Sequence, residues 1–199
     1  MVGCNEAFGL AALERYPKMN DAILEASSRY LEVAKAIKDD SIGARAFCDS
    51  EADPQSKLKS VVRSSFSMIE AMLNASRELA LEWARYHEED PEILAKLEEK
   101  RYVKTGEEGV LKAVDARWPL KDRVKFVLPI LGGYHGKTIV VDYSAGGGAP
   151  FLRSIKARDK ITHPKSAQDF ALSKDDAIDT RDALMWYVEL SNDAASRKK

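Results

Sequence analysis

The residues best suited to acid–base and phosphate chemistry lie in one short segment, Phe151–Lys165. It holds five basic residues and one acid, whereas the whole 199-residue chain carries a net charge of −1. The charged residues and the single histidine of this segment are Arg153, Lys156, Arg158, Asp159, Lys160, His163 and Lys165. Basic groups gathered around a histidine suit a phosphodiester ligand. The other interpretation is a solvated, charged helix face.

His163 is expected at the end of a helix, because Pro164 follows it and disfavours helical geometry at the preceding residue. Arg158 lies five residues earlier, about 140° around an ideal helix, so the two side chains do not meet in mid-helix. An imidazole can act as general acid or base near neutral pH. Without such a role, Arg158 is expected to form a salt bridge with a neighbouring helix, and His163 to be a helix C-cap.

A second candidate is the glycine-rich segment 132–150. Its start, Gly132–Thr138, is similar to a phosphate-binding loop, but Leu131 stands where the first glycine of that motif belongs. The β-branched run Thr138–Tyr143 also follows the glycines instead of preceding them. We interpret the segment as a turn into a strand or one arm of a hairpin. A small-molecule enzyme built on it would need a ligand-sized pocket against residues 132–150.

Metal and cofactor sites are not expected from the sequence. The two cysteines, Cys4 and Cys48, form no CxxC pair, and His135 has no Cys or carboxylate at ligand spacing. His87 is expected to be a solvated residue at the end of the long helix. Arg181 is unusual because it falls on an otherwise apolar helical stripe with Ala177, Leu184 and Val188. A buried or interfacial arginine there would need an acidic partner or a ligand.

Helical periodicity dominates the elements that must position these residues. The clearest apolar stripe runs from Gln55 to about Glu89 without glycine or proline. Ser173 and Asp176 form a predicted capping box before the last helix. The predicted helices are 19–39, 55–89, 92–101, a short helix within 102–118, 119–131, 151–162 and 174–192, and the predicted strand is 138–143. The predicted fold class is therefore all-α, a helical bundle of four to five up-and-down core helices with a small β insertion near 132–150.

The composition fits a single globular unit in which residues 1–54 form a helical extension packed on a bundle of residues 55–199. Hydrophobic residues make up 45% of the chain and charged residues 32%, which excludes a disordered chain. The near balance of charge excludes a polycation that coats nucleic acid. No run of 18 apolar residues and no signal peptide are present, so we expect a cytoplasmic protein with no membrane partner.

The run from Arg158 to His163 resembles the signature of the HEPN superfamily, in which an arginine is followed four to six residues later by a histidine. The residue after that arginine is commonly Asn, Asp or His in the family, and Asp159 fits. The order of elements over roughly residues 55–192 is also similar. A long amphipathic helix precedes the motif, which ends the penultimate helix, and a capped terminal helix follows. The resemblance implies a HEPN-like bundle that forms homodimers with one composite cleft.

The family resemblance also implies an activity, metal-independent endoribonuclease cleavage of RNA. His163 would act as general base or acid, Arg158 would hold the scissile phosphate, and Asp159 would orient one of them. The implied RNA contacts are Arg153, Lys156, Lys160 and Lys165. Such enzymes include toxins and defence effectors, so an antitoxin-like protein partner is implied, and no cofactor. The alternative is a non-catalytic HEPN-like module for dimerisation, nucleotide binding or partner binding.

Overall fold

Helices dominate the part of the chain that the computed structural model describes, which comprises residues 21–48, 53–105, 110–116, 118–164, 166, 168 and 171–196. In chain order the elements are α1 (Asp21–Cys48), α2 (Pro54–Tyr86), α3 (Pro91–Leu97), β1 (Lys100–Thr105), β2 (Val110–Asp115), α4 (Leu120–Tyr134), α5 (Gly148–Thr162) and α6 (Lys174–Ala195). The predicted predominance of helix is confirmed for these residues.

Helix α2 is the spine of the fold, and α1, α4, α5 and α6 all pack against it. It begins where the Asp53 carboxylate accepts a hydrogen bond from the Ser56 backbone N–H at 2.8 Å, with Pro54 in the first turn. Its buried face confirms most of the predicted stripe: Val62, Phe66, Ile69, Leu73, Ala80 and Trp83. The helix ends earlier than predicted because the chain turns into a left-handed conformation at Glu88, where φ is 54°.

Buried hydroxyl groups join α1 to the rest of the core. Tyr30 Oη lies 3.2 Å from Ser191 Oγ, and Ser191 Oγ lies 3.3 Å from Ser76 Oγ. Ser76 also donates to the Met72 carbonyl oxygen, so its hydroxyl is satisfied within α2. Hydrogen bonding of this kind compensates for the loss of water on burial. The three helices α1, α2 and α6 therefore share one interior. Burial in this interior raises the pKa of the Tyr30 hydroxyl.

The β-hairpin lies at residues 100–115, where the sequence predicted helix up to Arg101 and a second short helix within 102–118. Strands β1 and β2 pair antiparallel, with Tyr102 opposite Ala113 and Thr105 opposite Val110. The predictions were wrong because Gly106 and Gly109 separate two runs of alternating side chains, which is a hairpin pattern. The helix before it, α3, is correspondingly short.

The predicted strand at 138–143 was also wrong, since these residues pair with no described strand. Ile139 and Val141 are only 6% and 8% exposed, whereas Val140 between them is 72% exposed. The segment is extended, and its alternate side chains are buried in the helical core instead of in a sheet. β-branched residues favour a half-buried extended chain, and that preference does not require strand pairing.

Candidate active site at the end of helix α5

The predicted site residues of helix α5 lie at different positions around the helix. Its buried face consists of Phe151, Ser154, Ala157 and Ile161, at the spacing of one helical stripe. The same periodicity leaves Lys156 and Asp159 exposed to solvent. The helix ends at Thr162, with His163 as its C-cap, as the following proline predicted.

Arg158 is held at the α2 edge of helix α5. Its Nη2 atom lies 2.5 Å from Glu70 Oε1, and its guanidinium carbon lies 5.4 Å from the centre of the Phe66 ring. The side chain keeps 30% of its exposure. This is the salt bridge with a neighbouring helix that the sequence offered as the structural role of Arg158. Because a guanidinium carries five N–H donors, the contact with Glu70 leaves donors for an anion.

His163 is exposed at the end of α5, where a backbone hydrogen bond fixes its position. Its N–H donates to the Asp159 carbonyl oxygen at 2.9 Å, and its φ and ψ of −133° and 57° turn the chain out of the helix. The Thr162 hydroxyl donates to the carbonyl oxygen of Arg158, which tightens the same last turn. The imidazole is thus available to a ligand, one and a half helical turns beyond Arg158.

Two of the predicted RNA contacts, Arg153 and Lys160, lie on the other edge of the helix, beside acids of α6. Arg153 donates two hydrogen bonds of 2.7 Å to the Asp179 carboxylate, and this pairing raises the pKa of Arg153 and lowers that of Asp179. Lys160 Nζ lies 3.8 Å from Asp176 Oδ2. Lys165 falls outside the described residues. The local excess of positive charge is therefore largely balanced by neighbouring helices.

The structure thus brings the predicted residues onto one helix without gathering them at one point. Arg158 faces α2, whereas Arg153 and Lys160 face α6. Arg181 lies on the exposed side of α6 instead of inside the fold, with its side chain 69% exposed and paired at 2.8 Å with Asp182. Of the two alternatives, a buried or an interfacial arginine, burial within the described fold does not occur, because the buried face of α6 is the one through Thr180, Ala183 and Tyr187.

The glycine-rich segment serves packing. Lys137 Nζ donates to Asp193 Oδ1 and to Ser196 Oγ, at 2.6 and 2.5 Å, and to the Asp193 carbonyl oxygen, so the lysine neutralises the C-terminal end of α6. A Cβ on Gly148 would lie 2.1 Å from the Asp142 carbonyl oxygen, which explains the need for glycine. Lys137, which stands at the lysine position of a phosphate-binding loop, is thus already bonded to the end of a helix. This arrangement gives no support to nucleotide hydrolysis.

A further group of residues escaped the sequence-based interpretation. A pocket lies between α2, α3 and α4, and basic and aromatic side chains from distant parts of the chain line it, among them Arg77, Lys96, Trp118 and Phe126. The feature of the sequence that could have indicated this pocket is Trp118, an aromatic residue that precedes Pro119 and the basic start of a helix. The spatial neighbours from α2 and α3 have no sequence signature.

Comparisons of the chain with models of known families, with curated proteins and with solved structures found no match. None of the described helices has the length and apolar character needed to cross a bilayer. Among the described residues, no three His, Cys, Asp or Glu side chains are grouped so that they could hold a metal ion.

Proposed function

We propose that this chain is a metal-independent endoribonuclease of the HEPN type, which cleaves RNA through Arg158 and His163 in a cleft between two copies. The observation that carries the proposal is that the last turns of α5 present both an exposed imidazole and a partly exposed guanidinium, the latter fixed in place by Glu70 and Phe66. An arginine fixed before substrate arrives needs little reorganisation to stabilise a phosphorane-like transition state.

The reaction would be an internal transesterification. A base removes the proton of the ribose 2′-hydroxyl, the 2′-oxygen attacks the phosphorus, and the bond to the 5′-oxygen breaks as an acid protonates that oxygen. The products are a 2′,3′-cyclic phosphate and a 5′-hydroxyl. His163 from each of two copies would supply the base and the acid, which is why one copy alone is incomplete. Arg158 would bind the non-bridging phosphate oxygens through the N–H groups that Glu70 leaves free.

The test is RNA cleavage in EDTA with analysis of product ends. His163→Ala should lower the cleavage rate at least about 100-fold, the usual contribution of a general acid or base. The control is His87→Ala, because His87 is also an exposed C-cap residue, at the end of α2; since its ring stacks on Trp83 and Tyr134, thermal unfolding must show that this variant is folded. Cutting by wild type and His87→Ala, with cyclic phosphate ends, supports the proposal. Absence of cutting, or equal cutting by His163→Ala, refutes it.

A second candidate function, dimerisation without catalysis, is favoured by the exposed face of α6. Ile178 and Met185 are 48% and 55% exposed, and Arg181 and Asp182 lie between them. The face is self-complementary about the midpoint of Arg181 and Asp182. In an antiparallel pair of α6 helices, Ile178 would face Met185 of the other copy, and Arg181 would face Asp182. Arg158 faces α2, so such a dimer would not join the two candidate sites.

Charge exchange distinguishes this dimer from others. Arg181→Asp should dissociate it, because acids would then face acids across the interface, and adding Asp182→Arg should restore it. Sedimentation of the wild type and both variants measures the outcome. A wild-type monomer, or a dimer that Arg181→Asp leaves intact, excludes α6 pairing. A dimer of that second kind would agree with the composite cleft instead.

A further inference from the structure

The pocket between α2, α3 and α4 has the features of a ligand site. Its volume is about 90 Å³, and its wall is mainly apolar with charged groups of both signs: Arg77, Lys96 and Arg123, with Glu99 and Asp122. Trp118, 38% exposed, and Phe126, half-buried, supply two aromatic surfaces. Lys96 Nζ lies 5.5 Å from the centre of the Phe126 ring. Aromatic walls with a cation nearby suit a planar ring that bears an anion.

The two arginine side chains of the pocket are fixed by contacts with neighbouring protein groups. Arg77 Nη1 donates to the Leu97 carbonyl oxygen at 2.7 Å, at the end of α3, while its Nε is buried and has no hydrogen-bond partner among the described residues. Arg123 Nε lies 2.7 Å from Glu99 Oε1, so that arginine is already neutralised. Lys96 and the remaining Nη N–H groups of Arg77 are therefore the donors for an anionic ligand, beside the acids Glu99 and Asp122 of the same wall.

The pocket lies on the same side of α2 as the candidate active site. Arg77 follows Glu70 by seven residues, which is almost two turns, so the two side chains share one face of the helix about 10 Å apart along its axis. Asn74 lies between them and accepts a hydrogen bond of 2.6 Å from Arg123 Nη2. A short single strand whose phosphate contacts Arg158 can therefore extend along this face to the pocket.

We propose that the pocket binds one pyrimidine nucleotide of the RNA strand, with its base between Trp118 and Phe126 and its phosphate near Arg77 and Lys96. At about 90 Å³ the pocket is smaller than the enclosed cavity of about 150 Å³ that holds benzene, so we expect it to take no more than a single ring, with part of that ring in its open mouth. The proposal rests on the proposed ribonuclease function for the strand, but mononucleotide binding can be measured without cleavage.

The experiment is calorimetric titration of the full-length protein with 5′-UMP, 5′-AMP, uridine and inorganic phosphate, with tryptophan fluorescence followed in parallel. UMP should bind saturably and quench fluorescence, with AMP, uridine and phosphate each at least about tenfold weaker. Trp118→Ala should weaken UMP binding at least about fivefold, the loss of one base–aromatic stack. Lys96→Gln should weaken UMP but leave the weak uridine binding unchanged. Trp186→Phe, on α6, is the control for fluorescence and fold.

Three outcomes would overturn the assignment: no saturable UMP binding, AMP or phosphate binding as tight as UMP, or UMP binding unchanged in Trp118→Ala. Thermal unfolding of each variant shows whether it is folded, and Trp118→Phe provides a milder substitution if Trp118→Ala is not. The two proposals fail separately. UMP binding without RNA cleavage would retain the pocket and reject the ribonuclease, whereas RNA cleavage without UMP binding would do the reverse.

Discussion

Two adjacent glycines near the end of α4 should respond in opposite directions to the same substitution. A Cβ on Gly132 would lie 2.3 Å from Ile139 Cγ1, far inside van der Waals contact, whereas a Cβ on Gly133 would meet nothing within 4 Å. Both residues are helical and neither has a positive φ. Gly132→Ala should therefore overpack the contact between α4 and the segment 138–143, while Gly133→Ala should only improve helix propensity.

The magnitudes follow from these distances. Overpacking of a core contact costs about 1–3 kcal/mol, and in a protein of this size about 1 kcal/mol lowers Tm by roughly 2–4 °C. Gly132→Ala should lower Tm by several degrees. Gly133→Ala should raise stability by about 0.5 kcal/mol, less than a mid-helix position because the helix ends at Tyr134. Thermal and urea unfolding followed by circular dichroism measure both.

A double-mutant cycle identifies the cause. Ile139→Ala removes the atom that collides with the new methyl group, so Gly132→Ala combined with Ile139→Ala should be less destabilised than the sum of the two single variants. The reasoning is refuted if Gly132→Ala is as stable as the wild type. It is equally refuted if the two glycine variants change stability in the same direction, or if the cycle shows strict additivity.

Three further predictions concern charge and backbone conformation. Arg153 lowers the pKa of Asp179, so this pair stabilises the folded state at pH values above the ordinary Asp pKa of about 3.9, and the stabilisation is lost as pH falls through the lower folded-state pKa. In Asp179→Asn the loss of stability on acidification should therefore be smaller. If Tm falls between pH 5 and pH 2 as steeply in Asp179→Asn as in the wild type, the prediction is contradicted. Lys156→Ala should reduce the slope of log affinity for RNA against log salt concentration by about one, as measured by fluorescence anisotropy. Lys125→Ala, on α4, should leave this slope unchanged. Equal effects of the two substitutions would show that α5 is not part of the RNA-binding surface. Glu88→Gly should stabilise the protein by about 0.5–1 kcal/mol because it relieves a left-handed residue, and a lower Tm would show that Glu88 makes a contact worth more than the strain.

The elements that could be predicted from sequence are those in which one periodicity applies throughout. Val62, Phe66 and Ile69 lie on a stripe that only a helix makes continuous, and the structure buries all three. The strand at residues 100–105 was missed because lysine, arginine and tyrosine there suit an exposed helix as well as an exposed strand, and the hairpin signal lies in the glycines that follow, Gly106 and Gly109. The run 138–143 shows the converse error, since its β-branched side chains report an extended chain and not its partner.

The candidate site was predictable in kind but not in detail. Pro164 locates the helix end, and therefore His163, by local sterics alone. The sequence also offered a salt bridge between Arg158 and an acid of another helix, but the choice of Glu70 depends on how α5 crosses α2. The pocket was not predictable for the same reason, since Arg77 and Trp118 become neighbours only when α4 packs on α2.

The charge balance around α5 constrains how the proposed enzyme would hold RNA. Arg153, Arg158 and Lys160 each face a carboxylate, so a phosphate that approaches them competes with an acid already in place. Each such contact contributes less to binding than a free cation would, and RNA affinity for one copy should be weak and only moderately dependent on salt. A cleft between two copies doubles the number of phosphate contacts and supplies the second histidine. Because one copy should bind RNA only weakly, the ribonuclease proposal depends on dimerisation. A catalytically active monomer would refute it.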